Sequence, residues 1–248
     1  MWEDLLLYAA VGFAAQMVDG SIGMAYGVTT SSVLLSLGVA PATASACVHT
    51  AETFTTAASG ISHWRLGNID KQLVWRLAVP GMIGGATGAY VLSNINGAVI
   101  KPFVSAYLAL MGVVILWKAL RTVTENSEPP ERVALLGLIG GFMDSIGGGG
   151  WGPIVTTSLI GQGTTTRYAI GSVNLAEFFV ALVISGTFFL TIGLELWPII
   201  AGLILGGVIA APFAALATKH LPDKALMIIV GCVITLLSLR TLLSALHA

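Results

Sequence analysis

Six mainly apolar segments, each long enough to cross a bilayer as a helix, occupy most of this 248-residue chain. A bilayer core about 30 Å thick requires roughly 20 helical residues. The segments are 42–63, 71–93, 98–120, 168–190, 196–218 and 223–245. Charged residues make up only 9% of the chain, against about 25% in soluble domains. The pattern predicts an all-α integral membrane protein that lies in a lipid bilayer.

Two further apolar regions, 4–37 and 132–161, are too long for one crossing, and each contains a glycine-bearing stretch. The first reads Asp19-Gly-Ser-Ile-Gly-Met-Ala-Tyr-Gly27, and the second reads Asp144-Ser-Ile-Gly-Gly-Gly-Gly-Trp-Gly-Pro153. Inside a bilayer, the backbone amides of such stretches must be satisfied by protein, water or ligand. We expect loops at 19–27 and 144–153. Each region then forms a hairpin, with roughly 13–15 residues entering the membrane and roughly 13 leaving it.

The distribution of positive charge bears on this hairpin topology. If both broken regions return to their starting side, four connections share one face: 64–76, 118–132, 161–167 and 218–224. Those connections contain nine of the eleven Lys and Arg residues: Arg65, Lys71, Arg76, Lys118, Arg121, Arg132, Arg167, Lys219 and Lys224. Only Lys101 and Arg240 fall on the other face. If each broken region crossed the membrane once, the charges would divide seven to four.

Cytoplasmic connections carry an excess of Lys and Arg, so the hairpin topology is favoured. It predicts a multi-pass protein of the plasma membrane with both termini outside the cytoplasm. The chain starts with the acidic residues Glu3 and Asp4, whereas a signal peptide starts with a basic region. We therefore expect the first apolar segment to stay in the mature protein.

The second part of the chain repeats the first at an offset of 125 residues, the separation between Asp19 and Asp144. At this offset the aligned pairs are Asp19/Asp144, Gly23/Gly148, Tyr26/Trp151, His49/Asn174 and Glu52/Glu177. We predict a first membrane repeat at 1–121, a polar linker at 122–133 and a second repeat at 134–248. One hairpin and three crossings per repeat make the second repeat enter from the opposite side. Inverted repeats of this kind are common in secondary transporters, with the site between the halves.

Each hairpin presents the start of a short helix at membrane depth, where free amides and the helix dipole attract anions. Nearby hydroxyl groups can donate hydrogen bonds to an oxyanion without the cost of a buried cation. The candidate substrate-binding residues are Gly147, Gly148, Gly149, Gly150, Trp151, Thr156, Thr157, Gly23, Tyr26, Thr29, Thr30, His49 and Asn174. The alternative is that these small residues only let membrane helices pack closely.

Two pairs of acidic residues lie within the apolar regions. Asp19 and Asp144 flank the predicted breaks, where a carboxylate can cap exposed amides. We favour capping because a carboxylate would repel a bound anion. Glu52 and Glu177 lie near mid-membrane, where desolvation favours the neutral form of a carboxyl group. They are candidates for proton coupling, and the alternative is a hydrogen-bonded contact between helices.

A metal-cation transporter is an alternative, because His49, Glu52, Glu177, Asp19 and Asp144 could converge on a cation. Against it, the second repeat supplies Asn174 in place of a second histidine, and no His/Cys cluster has ligand spacing. We therefore expect no metal site and no cofactor. An anion channel is a second alternative.

Other classes of function have less support in the sequence. No Ser, Cys or His residues form a constellation for nucleophilic catalysis, so we do not expect an enzyme. The net charge of −1 offers no footprint for nucleic acid. The sequence leaves open whether several copies of the chain associate.

The Gly147–Pro153 stretch, its counterpart at 19–27 and the layout in two halves resemble the TauE/SafE family of membrane permeases. The resemblance covers nearly the whole chain. It implies a secondary transporter that exports sulfite or small organosulfonates across the plasma membrane. Inverted repeats predict transport by alternating access around a fixed site. The first half meets the family pattern less well, because Ile22 and Met24 interrupt its glycines and Val28 replaces the proline. The two loops are therefore expected to contribute unequally.

Overall fold

The computed structural model describes residues 2–120, 132–193, 196–217 and 223–246. Within these ranges the chain is helical and contains no strand. The α-helices are α1 (Trp2–Ile22), α2 (Tyr26–Ser36), α3 (Pro41–Arg65), α4 (Lys71–Ser93), α5 (Gly97–Ala119), α6 (Val133–Gly147), α7 (Thr157–Gly161), α8 (Thr166–Thr191), α9 (Trp197–Ala217) and α10 (Asp223–Leu246). A π-helical turn (Gly152–Thr156) leads directly into α7. The predicted all-α fold is confirmed.

Five helices of the described chain are long and apolar enough to cross a membrane: α1, α5, α8, α9 and α10. Large apolar side chains such as Phe103, Leu205 and Leu236 are exposed on the outer surface. Polar side chains such as Gln16 and Glu52 are buried inside. This inverted distribution is typical of a membrane protein, in which intramembrane polar groups face the interior of the helix bundle.

The six predicted crossings correspond closely to α3, α4, α5, α8, α9 and α10. The broken regions differ from the prediction. α1 has 21 residues, so the entering arm is longer than the predicted 13–15. The breaks contain only 23–25 and 148–150, so they are shorter than the predicted loops at 19–27 and 144–153. Asp19 and Asp144 therefore lie in the last turns of α1 and α6.

The breaks are short because a few positive φ angles are enough to end a helix. Gly23 has φ 74° and Ala25 has φ 101°, whereas Gly148 and Gly149 have φ 66° and 151°. α1 continues past Asp19 because that side chain is buried among the other helices and does not face lipid. The sequence alone does not show whether Asp19 faces the interior of the helix bundle or the lipid.

The packing of glycines shows the directions of the helices in the second half. Gly81 of α4 lies against Gly141 of α6 and Val180 of α8, and Gly88 lies further along against Ser145 of α6. Contacts between Gly85 and Ile184 continue the parallel alignment of α4 with α8. Since α6 and α8 both run parallel to α4, the segment between them returns to the side from which α6 entered.

The first half shows the same relationship. Gly12 of α1 lies against Leu203 of α9, and Gly20 lies against Ala214, so α1 and α9 are parallel. Gly207 of α9 lies against Thr55 of α3, and Gly20 is also close to Ser59. α3 therefore runs in the direction of α1 and α9, and α2 returns between α1 and α3. Both broken regions are hairpins.

The helix pairing is symmetric when the two halves are exchanged. α1 packs against α9 as α6 packs against α4, and α3 packs against α9 as α8 packs against α4. α3 pairs with α8, and α5 pairs with α10. α3 and α8 are antiparallel, because Thr50 hydrogen-bonds Ser185 while Gly60 lies against Leu175. The division into two inverted repeats, and the side of the membrane on which each end lies, stay predictions.

Part of the predicted linker, 122–131, lies outside the described residues, as do Arg121 and Lys219. The linker and the repeat boundaries at 121 and 134 therefore stay predictions.

Candidate functional site

The tips of the two hairpins are in backbone contact at the centre of the fold. A Cβ atom on Gly27 would lie 2.7 Å from Cα of Gly149, and one on Gly152 would collide with Met24. Gly149 has φ 151°, which side chains rarely adopt. The glycines are thus required for the approach of one tip to the other.

Two equivalent hydrogen bonds join the tips. The Thr156 hydroxyl donates to the carbonyl of Gly23 at 2.6 Å, and the Ser31 hydroxyl donates to the carbonyl of Gly148. Ser31 and Thr156 align at the repeat offset, as do Gly23 and Gly148. Each half therefore donates a hydroxyl to the break of the other half.

The two aspartates hold the start of each returning helix. The Asp144 carboxylate accepts a hydrogen bond from the Trp151 amide at 2.9 Å, and the Asp19 carboxylate accepts one from the Tyr26 amide at 3.4 Å. These are the contacts that the capping role requires, and that role stays a prediction. The longer bond of Asp19 is the weaker one.

Most amides predicted to bind an anion are engaged within the protein. The amides of Gly148 and Gly149 both donate to the carbonyl of Asp144. The amide of Trp151 donates to the Asp144 side chain. These amides can donate to an anion only if the second tip rearranges. Their role in anion binding therefore stays a prediction, and it applies to another conformation of the protein.

The aromatic residues of the tips are fully buried and anchored. Trp151 donates from Nε1 to the carbonyl of Val173 at 3.3 Å, and the Tyr26 hydroxyl donates to the carbonyl of Leu203 at 3.3 Å. The ring of Trp151 also packs against Gly81 of α4. These contacts fix the first turn of each returning segment to the surrounding helices.

The predicted hydroxyl ligands are not all at the tip contact. Thr30 donates to the carbonyls of Tyr26 and Gly27 in its own helix. Thr29 instead lines an apolar groove between α1 and α10, and neither its hydroxyl nor that of Thr157 has a hydrogen-bond partner. Of the four predicted threonines, Thr156 reaches the opposite tip.

His49 lies between two carboxylates, one from each half. Its Nε2 atom is 3.2 Å from Oδ2 of Asp144 and 3.7 Å from Oε2 of Glu52. Its Nδ1 atom lies 2.8 Å from the carbonyl of Ser45, which can only accept, so Nδ1 carries a proton. Ligand atoms of His49, Glu52 and Asp144 all lie within 4.8 Å of one another, and all three residues are buried. The structure thus assembles a group able to hold a cation, although the sequence predicted no metal site.

The equivalent position in the second half is different. Asn174 donates from Nδ2 to the carbonyl of Ile170 in its own helix, while its Oδ1 atom is buried without a hydrogen-bond partner. Glu177 is buried and interacts electrostatically with Asp19, Glu52 and Asp144. Asn174 and Glu177 therefore do not repeat the arrangement of His49 and Glu52, and the two halves offer different side chains.

Sequence reasoning missed three residues near the tips. The Tyr107 hydroxyl is buried against Gly150 without a hydrogen-bond partner. Its repeat equivalent is Cys232, so the duplication gave no signal. Ser45, one turn before His49, donates to the carbonyl of Ser145 at 2.6 Å. Lys118 was expected at the membrane surface but is buried.

Comparisons with known proteins agree with this architecture. The profile of the family described as sulfite exporter TauE/SafE matches residues 8–241, which include both hairpins. The chain belongs to this family. A relative from Bacillus subtilis (strain 168), described as probable membrane transporter protein YtnM, is 42% identical over 251 residues. That alignment covers 98% of this chain and 84% of the relative.

Membership of the TauE/SafE family makes the chain a membrane transporter, as the resemblance implied. The match extends from α1 into α10, so it includes every residue of the tip contact. No solved structure matches the chain.

Proposed function

We propose that this protein is a secondary transporter that moves a small sulfur-containing anion, such as sulfite or an organosulfonate, across the plasma membrane. The contact of two hairpin tips at the centre of the fold carries the proposal, because it closes the path between the halves. The substrate class follows the family description, sulfite exporter. Export is the proposed direction.

The proposed mechanism is alternating access by two inverted repeats. The antiparallel α3 and α8 and the exchange-symmetric helix pairing support it. Rocking of one half against the other would break the bonds from Ser31 and Thr156 across the tips. The amides of Gly149 and Trp151 would then become available to the substrate, as helix starts commonly are to anions.

The buried carboxyl groups near the tips support coupling to a cation. Asp19, Glu52, Asp144 and Glu177 are all buried close to the proposed path. An anion cannot approach four ionised carboxylates without a large electrostatic cost. We propose that protons neutralise part of this charge during transport, with Glu52 and Glu177 as the coupling residues. Glu177 gives the cleaner test because it lies outside the group around His49.

Thermal unfolding of the purified protein with a ligand panel tests the substrate class. The panel is sulfite, sulfoacetate, taurine, thiosulfate, sulfate and acetate. A ligand at 100 times its dissociation constant adds about 2.7 kcal/mol of stability. We expect stabilisation by sulfite or a sulfonate and none by acetate. Equal stabilisation by every anion, or by none, would contradict the proposed substrate class.

A matched pair of variants locates the site. Asn174→Leu removes a buried amide whose Oδ1 atom has no partner, so the fold should tolerate it. It should also abolish stabilisation by the anion. Asn94→Ala, at the exposed end of α4, should leave ligand stabilisation unchanged. An unchanged ligand response in Asn174→Leu would remove that residue from the site.

A further inference from the structure

We propose that His49, Glu52 and Asp144 bind one divalent transition-metal ion between the two halves of the protein. This inference does not depend on which anion is transported. Glu52 and His49 come from one turn of α3, and Asp144 comes from the last turn of α6. The ion would therefore link the helix that carries the second tip to the first half.

The distances fit a shared metal ion. Ligand atoms about 2.1 Å from a tetrahedral metal ion lie roughly 3.4 Å from each other. The Nε2 atom of His49 lies 3.2 Å from Asp144 and 3.7 Å from Glu52. Only small side-chain movements would bring the three atoms to coordination distance.

The hydrogen bond from Nδ1 of His49 to Ser45 leaves Nε2 as the nitrogen that can bind a metal ion. Because Nδ1 donates to the carbonyl of Ser45 at 2.8 Å, a neutral ring keeps its free electron pair on Nε2, and a metal bound there would replace the hydrogen bond between Nε2 and Asp144 at 3.2 Å. Metal-bound histidines commonly fix their orientation by such a bond to a backbone carbonyl. The Ser45 hydroxyl in turn donates to the carbonyl of Ser145, next to Asp144, which holds α3 and α6 in register.

An independent observation is the unsatisfied oxygen of Glu52. Its Oε2 atom points towards His49, and it has no hydrogen-bond partner although the residue is only 1% exposed. A buried polar oxygen without a partner is costly. A divalent ion would satisfy this oxygen and would neutralise the two carboxylates together, and it would compete with the coupling proton for Glu52.

The ligand types indicate the class of metal. One imidazole nitrogen with two carboxylate oxygens suits Zn²⁺, Mn²⁺, Fe²⁺ or Co²⁺ better than Ca²⁺ or Cu⁺. The free carboxylate oxygen of Asp144 accepts from the Trp151 amide. Occupancy by a metal would therefore stabilise the start of the returning segment of the second hairpin.

The test is metal stoichiometry and affinity of the full-length protein in detergent. The protein is stripped with a chelator, titrated with Zn²⁺, Mn²⁺, Co²⁺ and Ca²⁺, and its bound metal is measured after dialysis. We expect one Zn²⁺ or Mn²⁺ per chain and much weaker Ca²⁺ binding. Absence of stoichiometric transition metal in the folded wild type would overturn the proposal.

Three variants identify the ligands. Glu52→Gln and His49→Gln should each weaken Zn²⁺ binding at least ~100-fold, since even outer contacts of a ligand change affinity ~10–100-fold. Asp70→Asn, which removes an exposed carboxylate at the start of α4, should bind the metal as the wild type does. Wild-type affinity in folded Glu52→Gln and His49→Gln would place the metal elsewhere.

A variant that adds a spectroscopic signal tests the proposal even if Glu52→Gln and His49→Gln fail to fold. His49→Cys offers a thiolate in place of the imidazole, so its Co²⁺ complex should show a sulfur-to-cobalt charge-transfer absorption that the wild type lacks. A folded His49→Cys protein that binds Co²⁺ without this absorption would exclude position 49 as a ligand. Sulfite flux measured on the same preparations separates this outcome from a failure of the transport proposal.

Discussion

The Thr156 hydroxyl donates a 2.6 Å hydrogen bond to the carbonyl of Gly23, so the returning segment of the second hairpin is tied to the break of the first. The bond from Ser31 to the carbonyl of Gly148 is its repeat equivalent. A transporter that alternates between two access states needs contacts that form in one state and break in the other. These two bonds are suited to that role because each joins the two halves.

Removal of one of these hydroxyls should destabilise the closed tips. Thr156→Val leaves the buried carbonyl of Gly23 without its donor, which costs about 1–3 kcal/mol. Thermal unfolding should show a lower melting temperature than that of the wild type. Thr187→Val is the control, because that hydroxyl bonds only a carbonyl of its own helix. Equal melting temperatures for the two variants would show that the bond across the tips contributes nothing.

Gly149→Ala should impair folding more than substitutions of glycines that lie in open space do. Its Cβ would collide with the backbone of Gly27 and Val28, and its φ is 151°. Overpacking alone costs about 1–3 kcal/mol. Gly38→Ala, with φ 91° and open space, measures the effect of φ strain alone, and Gly186→Ala, inside α8, should be neutral or slightly stabilising. The yield of monodisperse protein and its melting temperature would check the order. A Gly149→Ala protein as stable as Gly186→Ala would contradict the tip contact.

Glu177→Gln should make transport independent of pH while the protein stays folded. Wild-type flux should fall as pH rises, because fewer coupling groups are protonated, whereas a glutamine stays neutral throughout. Flux into proteoliposomes between pH 5.5 and 8.5, a range of roughly 4 kcal/mol in proton free energy, would show the difference. Asp70→Asn, at the start of α4, should keep the wild-type profile. If Glu177→Gln also keeps it, Glu177 is not a coupling residue.

The positive connections should face the cytoplasm. In a protein whose native Cys47 and Cys232 are replaced, Leu66→Cys lies beside Arg65 and Lys71 on one side, and Ile95→Cys lies on the other. Both positions are exposed. In intact cells a membrane-impermeant thiol reagent should label Ile95→Cys and spare Leu66→Cys, as the positive-inside rule predicts. The opposite labelling would place both termini in the cytoplasm.

The sequence predicted the crossing helices well because apolar length dominates their position. The observed α4 coincides with the predicted 71–93, and α3 and α5 differ by one or two residues. The aspartates at the breaks were also recognisable, since a repeated carboxylate beside repeated glycines is unusual. The length of α1 could not be predicted, because a polar residue such as Gln16 is compatible both with a loop and with the buried side of a helix.

The group around His49 could not be read from the sequence because it is a tertiary feature. Asp144 lies 95 residues from His49 and in the other half, so no local spacing relates them. The repeat alignment argued against a metal site, because it pairs His49 with Asn174, which has no imidazole nitrogen to offer as a ligand. The role of the four glycines was likewise visible only once Gly149 and Gly27 were seen in contact.

Counterflow of radiolabelled sulfite in proteoliposomes tests the central claim most directly. Vesicles loaded with unlabelled sulfite should transiently accumulate external labelled sulfite, and vesicles with Asn174→Leu protein should accumulate far less. Accumulation driven by a loaded sulfonate would extend the substrate class. If neither sulfite nor any sulfonate gives counterflow while a divalent metal ion does, the anion proposal is wrong and the protein transports cations through the group around His49.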